Sequence, residues 1–526
     1  MKNITNSKWL RGLNCTLLIG VAVIFIHSLF FVRTHDWDLD AFLYIGSRLF
    51  HGELLYLKDF ETKLPFLQYI FALAGAFGGI GAWRIITLLI SVALGFIGSL
   101  LLAKDYLKDK KCANWDCIDI AIFLTGFFLI LLYSLPGSES AHLEMVSAAA
   151  GYLSFALLVT SRGKYLNRFQ YFISGFFLAF AALIRPNYVY LIFIYVVWMF
   201  LSNNNVDIRL KRFPSIIFLL LGFVGLIVLS FFPYLFSREA FYSLVDGLRA
   251  IAAFPMKKGF LYVLRAQLSK DIILFYATTC LACSVVTYFF VTKYCKELKN
   301  LFINWGVPAI FCVMLLEYSF IRTHFYPHYT IMLVPYAVPL IFLSVVGFLR
   351  SNIQVFSGTR KLFLCTILLL SILTPLHIFT RDFMQIIFGN SKCDYKINYR
   401  QIDDALLNFL TEQQEKGRSF YVVNHPVYHF ILGESRIGDG HPAMLYGVLN
   451  GKRIGPAANI PLYSDEVYKS PCLALLNSHK DVIVIDGDSG KSSIVLKCFN
   501  QGSHVYERQQ YQGLDNYLVY AKLPED

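Results

Sequence analysis

The sequence predicts a polytopic α-helical membrane protein of about eleven crossings, followed by a small α/β domain outside the membrane. Three observations predict it. The chain is 56% hydrophobic with a mean hydropathy of +0.54, more apolar than water-soluble packing needs. Apolar runs of about twenty residues recur from Gly12 to Phe379, each able to span a hydrocarbon core of about 30 Å. Beyond Phe379 the runs stop and short helical and strand patterns replace them. The expected organisation is a membrane region over residues 1–380, with a first outer loop at 33–81, and a domain over 381–526.

Charge placement orients the chain. Lys2, Lys8 and Arg11 precede a first span at Gly12–Phe31 and hold the N-terminus inside. No small-residue cleavage site follows this apolar stretch, so it reads as a retained helix. The next basic cluster, Lys104 to Lys111, is inside again only if one of Pro65–Gly81 and Ala82–Ala103 crosses. The first is short and Gly-rich and suits an interfacial or re-entrant element; the second is taken as the span. Ile118–Leu135 and Ala141–Thr160 follow. Gln170–Leu201 is flanked by basic clusters at both ends, so it crosses twice, turning outside at Arg185-Pro186-Asn187. Phe213–Phe236, Asp271–Val291, Leu301–Glu317, Tyr329–Leu349 and Leu362–Phe379 complete the count. An odd number of crossings puts the last domain outside.

The formal net charge of +12 does not indicate a nucleic-acid partner. Its Lys and Arg sit in short loops between apolar runs, and none is interleaved with stacking aromatics. The bilayer is the partner these features imply. The 11 cysteines lie mostly within apolar runs, where Cys acts as a small hydrophobe. Cys280 and Cys283 form a CxxC inside such a run and read as helix packing. Cys393, Cys472 and Cys498 allow one disulfide and one remaining thiol.

In the last domain Ile402, Ala405, Leu406, Phe409 and Leu410 recur at helical spacing, followed by a strand at Ser419–Val423. Further elements are expected at Cys472–Ser478, Asp481–Ile485, Ser493–Phe499 and Tyr517–Ala521, an alternation that favours a small α/β sandwich. His425, His429 and His441 read as loop or helix-cap histidines rather than site residues.

Candidate chemistry lies on the outer face. In the first outer loop Leu39, Phe42, Leu43, Gly46, Leu49 and Phe50 share one helical face, and Asp40, Tyr44, Ser47, Arg48 and His51 the other. Such a helix is expected to lie flat at the surface, with Asp40 and Tyr44 aimed at water or at a cavity. A carboxylate there is placed to take a proton from an attacking hydroxyl, or else to solvate the loop and cap a helix. At the next outer turn Glu139 is either a second acid or an N-cap, and Glu144 falls inside the membrane, facing protein interior. Arg322, His324 and His328, with Glu317 before them, and Lys257, Lys258 and Arg265 in the long outer loop could bind a lipid phosphate or ordinary head groups. No His and carboxylate spacing makes a metal site, so no metal ligand is assigned.

The first loop reads Asp-x-x-x-Tyr, Gly-x-x-x-Tyr-x-x-Asp and Lys-x-Pro, standing here as Asp40, Tyr44, Gly52, Tyr56, Asp59, Lys63 and Pro65. This pattern resembles the GT-C superfamily of glycosyltransferases, most closely bacterial relatives of the protein O-mannosyltransferases and lipid A aminoarabinose transferases. Arg185-Pro186-Asn187, Pro327-His328-Tyr329 with Pro335, and Tyr428 with Gly433 resemble positions in the same group. The resemblance implies a sugar transferase that uses a polyprenyl-phosphate-linked donor on the periplasmic side. The acceptor would be lipopolysaccharide, another glycan or a protein. It implies Asp40 as the general base, with Asp38 taking that role under a shifted alignment, and Glu139 as a second acid. Lys63, Arg265, Arg322 and His328 would meet the leaving phosphate, and Tyr44, Tyr56 and Asp59 would contact substrate. Attack would invert the anomeric centre, with no cofactor required and a divalent metal left open. The family's Lys-Pro-Pro stands here as Lys-Leu-Pro.

A transporter or flippase of a lipid-linked or amphipathic substrate is the alternative. It would show ionisable or broken helices near the midplane and a repeat between halves. An O-antigen polymerase or ligase would carry a large periplasmic loop between spans instead of a C-terminal domain.

Overall fold

The computed structural model describes residues 14–15, 17–22, 35–56, 63–108, 116–135, 142–161, 168–201, 213–253, 260–267, 300–322, 327–350, 399–400, 402–422, 425–433, 480–486 and 506–523. In chain order they form β1 (His35–Asp36), α1 (Trp37–Arg48), α2 (Phe66–Ala76), α3 (Ile80–Lys108), α4 (Cys117–Ser134), α5 (Leu143–Thr160), α6 (Arg168–Ile184), α7 (Leu191–Leu201) and α8 (Phe213–Phe231). There follow α9 (Arg238–Ala253), α10 (Phe260–Gln267), α11 (Val307–Arg322), α12 (Val334–Arg350), β2 (Tyr399–Arg400), α13 (Asp404–Glu415), β3 (Phe420–Val422), α14 (Pro426–Leu432), β4 (Val482–Asp486), β5 (Tyr506–Gln509) and β6 (Tyr517–Lys522). The expected spans Asp271–Val291 and Leu362–Phe379, and the expected elements at Cys472–Ser478 and Ser493–Phe499, lie outside the described residues.

Among the described residues four helices are long and apolar enough to cross a membrane: Ile80–Lys108, Leu143–Thr160, Phe213–Phe236 and Phe302–Ile321. Each coincides with an expected span. The run expected to cross twice breaks where the sequence predicted, since α6 ends at Ile184 and Pro186 opens a 3-10 turn at Pro186–Tyr190 before α7. Helix α2 has 11 residues. At a rise of 1.5 Å per residue it extends about 16 Å, half of what a span needs. It is therefore shorter than a full span, as the sequence led one to expect.

The chain forms two compact units, each drawn from separate stretches of sequence. The first comprises residues 1–32, 84–229 and 256–394, the second residues 33–83, 230–255 and 395–526.

In the first unit α5 is buried along its whole length. Its small residues let α6 approach closely, and two serines hold the pair. Ser154 Oγ donates to Ser174 O at 2.8 Å, and Ser174 Oγ donates back to Ser154 O at 2.9 Å. Such reciprocal bonds and small side chains replace the hydrophobic drive that helices lack in lipid. Helices α6 and α8 cross closer still. A Cβ at Gly175 would fall 1.9 Å from Leu219 O, and one at Gly222 would fall 2.0 Å from Phe172 O.

In the second unit β3, β4, β6 and β5 form a four-stranded sheet in that order, parallel between β3 and β4 and antiparallel elsewhere. Asp403 caps α13 by accepting from the amides of Ala405 and Leu406 at 2.9 and 3.3 Å. Pro426 opens α14, and Gly433 at φ 68° closes it in the left-handed region. Leu406, Leu410, Val422, Tyr428, Val482 and Val519 form the core between this sheet and its helices. The Tyr428 hydroxyl accepts from the Asp403 amide at 2.9 Å, and burial pushes its phenol up from the usual value.

Candidate active site

The first outer loop lies in the second unit, together with the C-terminal sheet. Its backbone begins by pairing β1 with β2, His35 opposite Arg400 and Asp36 opposite Tyr399. Helix α1 then carries Asp40 and Tyr44. Of the two surroundings expected for Asp40 and Tyr44, open water is corrected here: residues 39–46 are all buried, Asp40 with 3% of its surface exposed and Tyr44 with 1%. The reason is a partner that the local pattern does not encode. Helix α14 packs on α1, and His429 meets Tyr44 edge-on, with ring centroids 6.2 Å apart. Asp40 is thus a carboxylate largely withdrawn from water.

Tyr56 and Lys63 also lie in this region. Tyr56 is buried at φ 74°, a left-handed conformation uncommon for a bulky residue, and its ring lies on Gly247 of α9. Its hydroxyl donates to Lys63 O at 2.5 Å. The Lys63 ammonium stands 5.8 Å from the centre of the Phe42 ring of α1. Tyr44 and Tyr56 share one apolar cluster with Leu55, Tyr234, Ala240 and Leu244. Asp38 is on α1 and its side chain is outside the description, as is all of Asp59.

A second concentration of ionisable groups lies in the first unit. Glu144, in the first turn of α5, is fully buried. Arg185 forms an ion pair with Glu144 Oε1, and His142 Nδ1 lies 2.8 Å from Oε2. His328 Nε2 is 3.5 Å from Oε1, and its ring stacks on that of His142, with centroids 4.3 Å apart. The Arg185 guanidinium also lies 5.2 Å from the centre of the Tyr329 ring. The turn that presents Arg185 is itself pinned: Asn187 Nδ2 donates to Ser319 Oγ at 2.9 Å, and the Tyr188 hydroxyl donates to Met332 O at 3.0 Å. The Arg-Pro-Asn turn is thus buried within the helices, and it ties α5, α11 and the Pro327–Leu333 turn together.

His142, Glu144 and His328 each offer one ligand atom, all within 4.8 Å of one another. That is a metal-capable group which the sequence spacing does not reveal. Both oxygens of Glu144 are already engaged, however, one of them by a guanidinium, and the two imidazoles are stacked instead of splayed around a point. The cluster is a buried polar network centred on the Glu144–Arg185 ion pair, with both imidazoles against the same carboxylate.

Of the other expected site residues, Arg265 is exposed on α10, whose Gln267 Nε2 donates to Glu317 Oε2 of α11 at 2.6 Å. Arg322 ends α11, with its side chain outside the description, and Glu139 lies outside the described residues. His425 and His429 belong to the fold. His425 precedes α14, and His429 is fully buried with its Nε2 accepting from the Val422 amide at 3.1 Å. His441 lies outside the described residues. Sequence reasoning left Arg185 and His142 without a role. The signal was a carboxylate deep in one apolar run and a guanidinium in the middle of another, each needing the other.

Among solved structures, the chain is similar to ArnT from Cupriavidus metallidurans. Its apo structure superposes with a TM-score of 0.56 at 11% identity, over 96% of this chain and 97% of that one. The same protein bound to undecaprenyl phosphate gives 0.55 at 12% identity, over 97% and 98%. The apo oligosaccharyltransferase of Archaeoglobus fulgidus gives 0.50 at 12% identity, over 98% of this chain and 75% of that one. No protein-family model and no curated protein matches the chain. The chain therefore shares its fold with these proteins, and its long apolar helices make it a multi-pass membrane protein. Its likeness to ArnT runs from end to end of both chains.

Proposed function

We propose that this protein is an inverting glycosyltransferase. It moves a sugar from a polyprenyl-phosphate donor to an acceptor at the outer face of a bacterial plasma membrane, whether lipopolysaccharide, another glycan or a protein. The observation that carries the reading is the end-to-end fold likeness to a protein whose solved structure holds undecaprenyl phosphate. Asp40, buried on α1 within the motif that suggested the superfamily, acts as general base on the acceptor hydroxyl. Asp38 is the neighbouring candidate, and Glu139 a second acid. As the sugar leaves, charge builds on the lipid phosphate, and Lys63, Arg265, Arg322 and His328 are the cations proposed to meet it. Tyr44, Tyr56 and Asp59 shape the substrate side. No cofactor is required on this reading. Eleven crossings, an inside N-terminus and an extracytoplasmic α/β domain belong to the same proposal.

Buried Glu144 is also the kind of intramembrane carboxylate a transporter uses. One experiment separates the readings. Membranes carrying the wild type and Asp40→Asn are given labelled polyprenyl-phosphate sugars, and transfer to endogenous acceptor is measured. The wild type is expected to transfer and Asp40→Asn to lose at least a hundredfold, general-base catalysis being worth about 10²–10⁴. Full activity in the variant would remove Asp40 as base. Absence of transfer from every donor, with label crossing the bilayer, would favour the transporter.

A further inference from the structure

Helix α2 is apolar except for Gln68, which has 2% of its surface exposed. A buried amide costs free energy unless it is satisfied, and an apolar residue would fill the same space without that cost. Every side-chain bond Gln68 makes goes to the chain around α1. Its Oε1 accepts from the Leu55 amide at 2.8 Å. Its Nε2 donates to Glu53 O at 2.8 Å and to Ile45 O at 3.1 Å. Ile45 O is among the last four carbonyls of α1, which a helix cannot satisfy internally.

Three contacts fix the same joint. Gly46, next to Ile45, meets the backbone of Phe71 and Ala72, about one turn beyond Gln68 on α2; a Cβ there would lie 2.4 Å from Phe71 C. Arg48 closes a two-bond fork on Glu53 at 2.6 and 2.7 Å. The Tyr234 hydroxyl donates to Leu55 O at 2.9 Å. Helix α1 is thereby held by its C-terminal end, and Asp40 stands five residues back from Ile45, about 7.5 Å along the axis. Slack at the joint would move Asp40 by a comparable amount.

We propose that Gln68 is a positioning residue, clamping α1 to α2 so that Asp40 is held where it can take the acceptor's proton; this rests on the glycosyl-transfer reading above. The clamp adds no group to the reacting atoms. It removes the tilt of α1, and a misplacement of about 1 Å is enough to lower a rate by about a hundredfold.

The test uses the full chain in proteoliposomes, with Gln68→Met, which keeps the volume and loses all three bonds, and Gln68→Glu, which keeps only the contact to the Leu55 amide. Transfer from labelled polyprenyl-phosphate sugar is measured against donor concentration, and amide exchange is followed over residues 37–56. Gln68→Met is expected to remain folded, to lose tenfold to a hundredfold in kcat with donor KM within about twofold, and to exchange faster at Leu55 and along α1. Gln68→Glu should fall between Gln68→Met and wild type in exchange at Leu55. Wild-type kcat in Gln68→Met overturns the proposal, and so does a fall in thermal stability with kcat and KM changing together, which marks a plain structural staple. If the wild type transfers no sugar, the glycosyl-transfer reading fails by itself. The clamp then stands on exchange alone, and unchanged exchange over α1 in Gln68→Met overturns it.

Discussion

Glu144 sits in a helix without an exposed side chain, where a carboxylate lacking a partner would be expensive. Arg185 balances it, so removing one partner should do more harm than removing both. Glu144→Gln leaves a guanidinium buried among α5, α6 and α11 and is expected to cost about 3–5 kcal/mol. Glu144→Gln with Arg185→Gln should recover much of that. Thermal unfolding of both variants in detergent, followed by intrinsic fluorescence, checks it; equal losses would mean the pair is not what balances the charge. The half of this that the sequence could tell was that Glu144 lies in an apolar run and faces protein. Its partner was out of reach because Arg185 comes from another helix, and no spacing rule links the two. Asp40 shows the same division. Its residue type and loop were legible, yet its burial was not, since α14 arrives from the far end of the chain.

Elements were read well where a single helix explains itself. Apolar runs and the Arg185-Pro186 break mark the helices, and the run after Pro65 forms a short helix, α2. The strands expected at Ser419–Val423, Asp481–Ile485 and Tyr517–Ala521 are present, and β5 and α14 were missed. β5, Tyr506–Gln509, exposes three of its four residues and becomes a strand only through its ladder to β6. α14 is seven residues long, too short for periodicity to reveal, although Pro426 and Gly433 mark its ends. Close helix crossings are likewise invisible to hydropathy, and Gly175 and Gly222 identify one. Gly175→Ala or Gly222→Ala sets a methyl against a backbone carbonyl, so α6 and α8 must separate and the unfolding temperature should drop by several degrees. Gly225→Ala, on α8 with open space around it, is the control and should stabilise slightly, by about 0.4–1 kcal/mol. A loss at Gly225 as large as at Gly222 would show that helix propensity, not the crossing, governs.

At the scale of the molecule, the first outer loop and the last domain form one compact unit although the chain separates them by over three hundred residues. Sequence order divided the protein after residue 380, because hydropathy changes there; packing divides it differently, because β1 pairs with β2 and α14 covers α1. This arrangement has a topological consequence. Two segments that fold together must end on the same face of the membrane, so the crossings between them must be even in number. The proposed eleven meet that condition, with one crossing before the loop and ten between it and the last domain. In the proposed topology charge sets the absolute side, with Lys2, Lys8 and Arg11 at one end and Arg350, Arg360 and Lys361 near the other holding their loops inside. A reporter enzyme that is active only outside the cytoplasm should therefore work when fused after Asp526 or inserted within residues 57–62. It should be silent when inserted at residues 351–359, where a cytoplasmic fluorescent reporter should light instead. Opposite readings at 57–62 and after Asp526 would be incompatible with a unit that contains both segments. Matching readings on the cytoplasmic side would keep the unit and invert the molecule, leaving Asp40 on the wrong face for an outer acceptor.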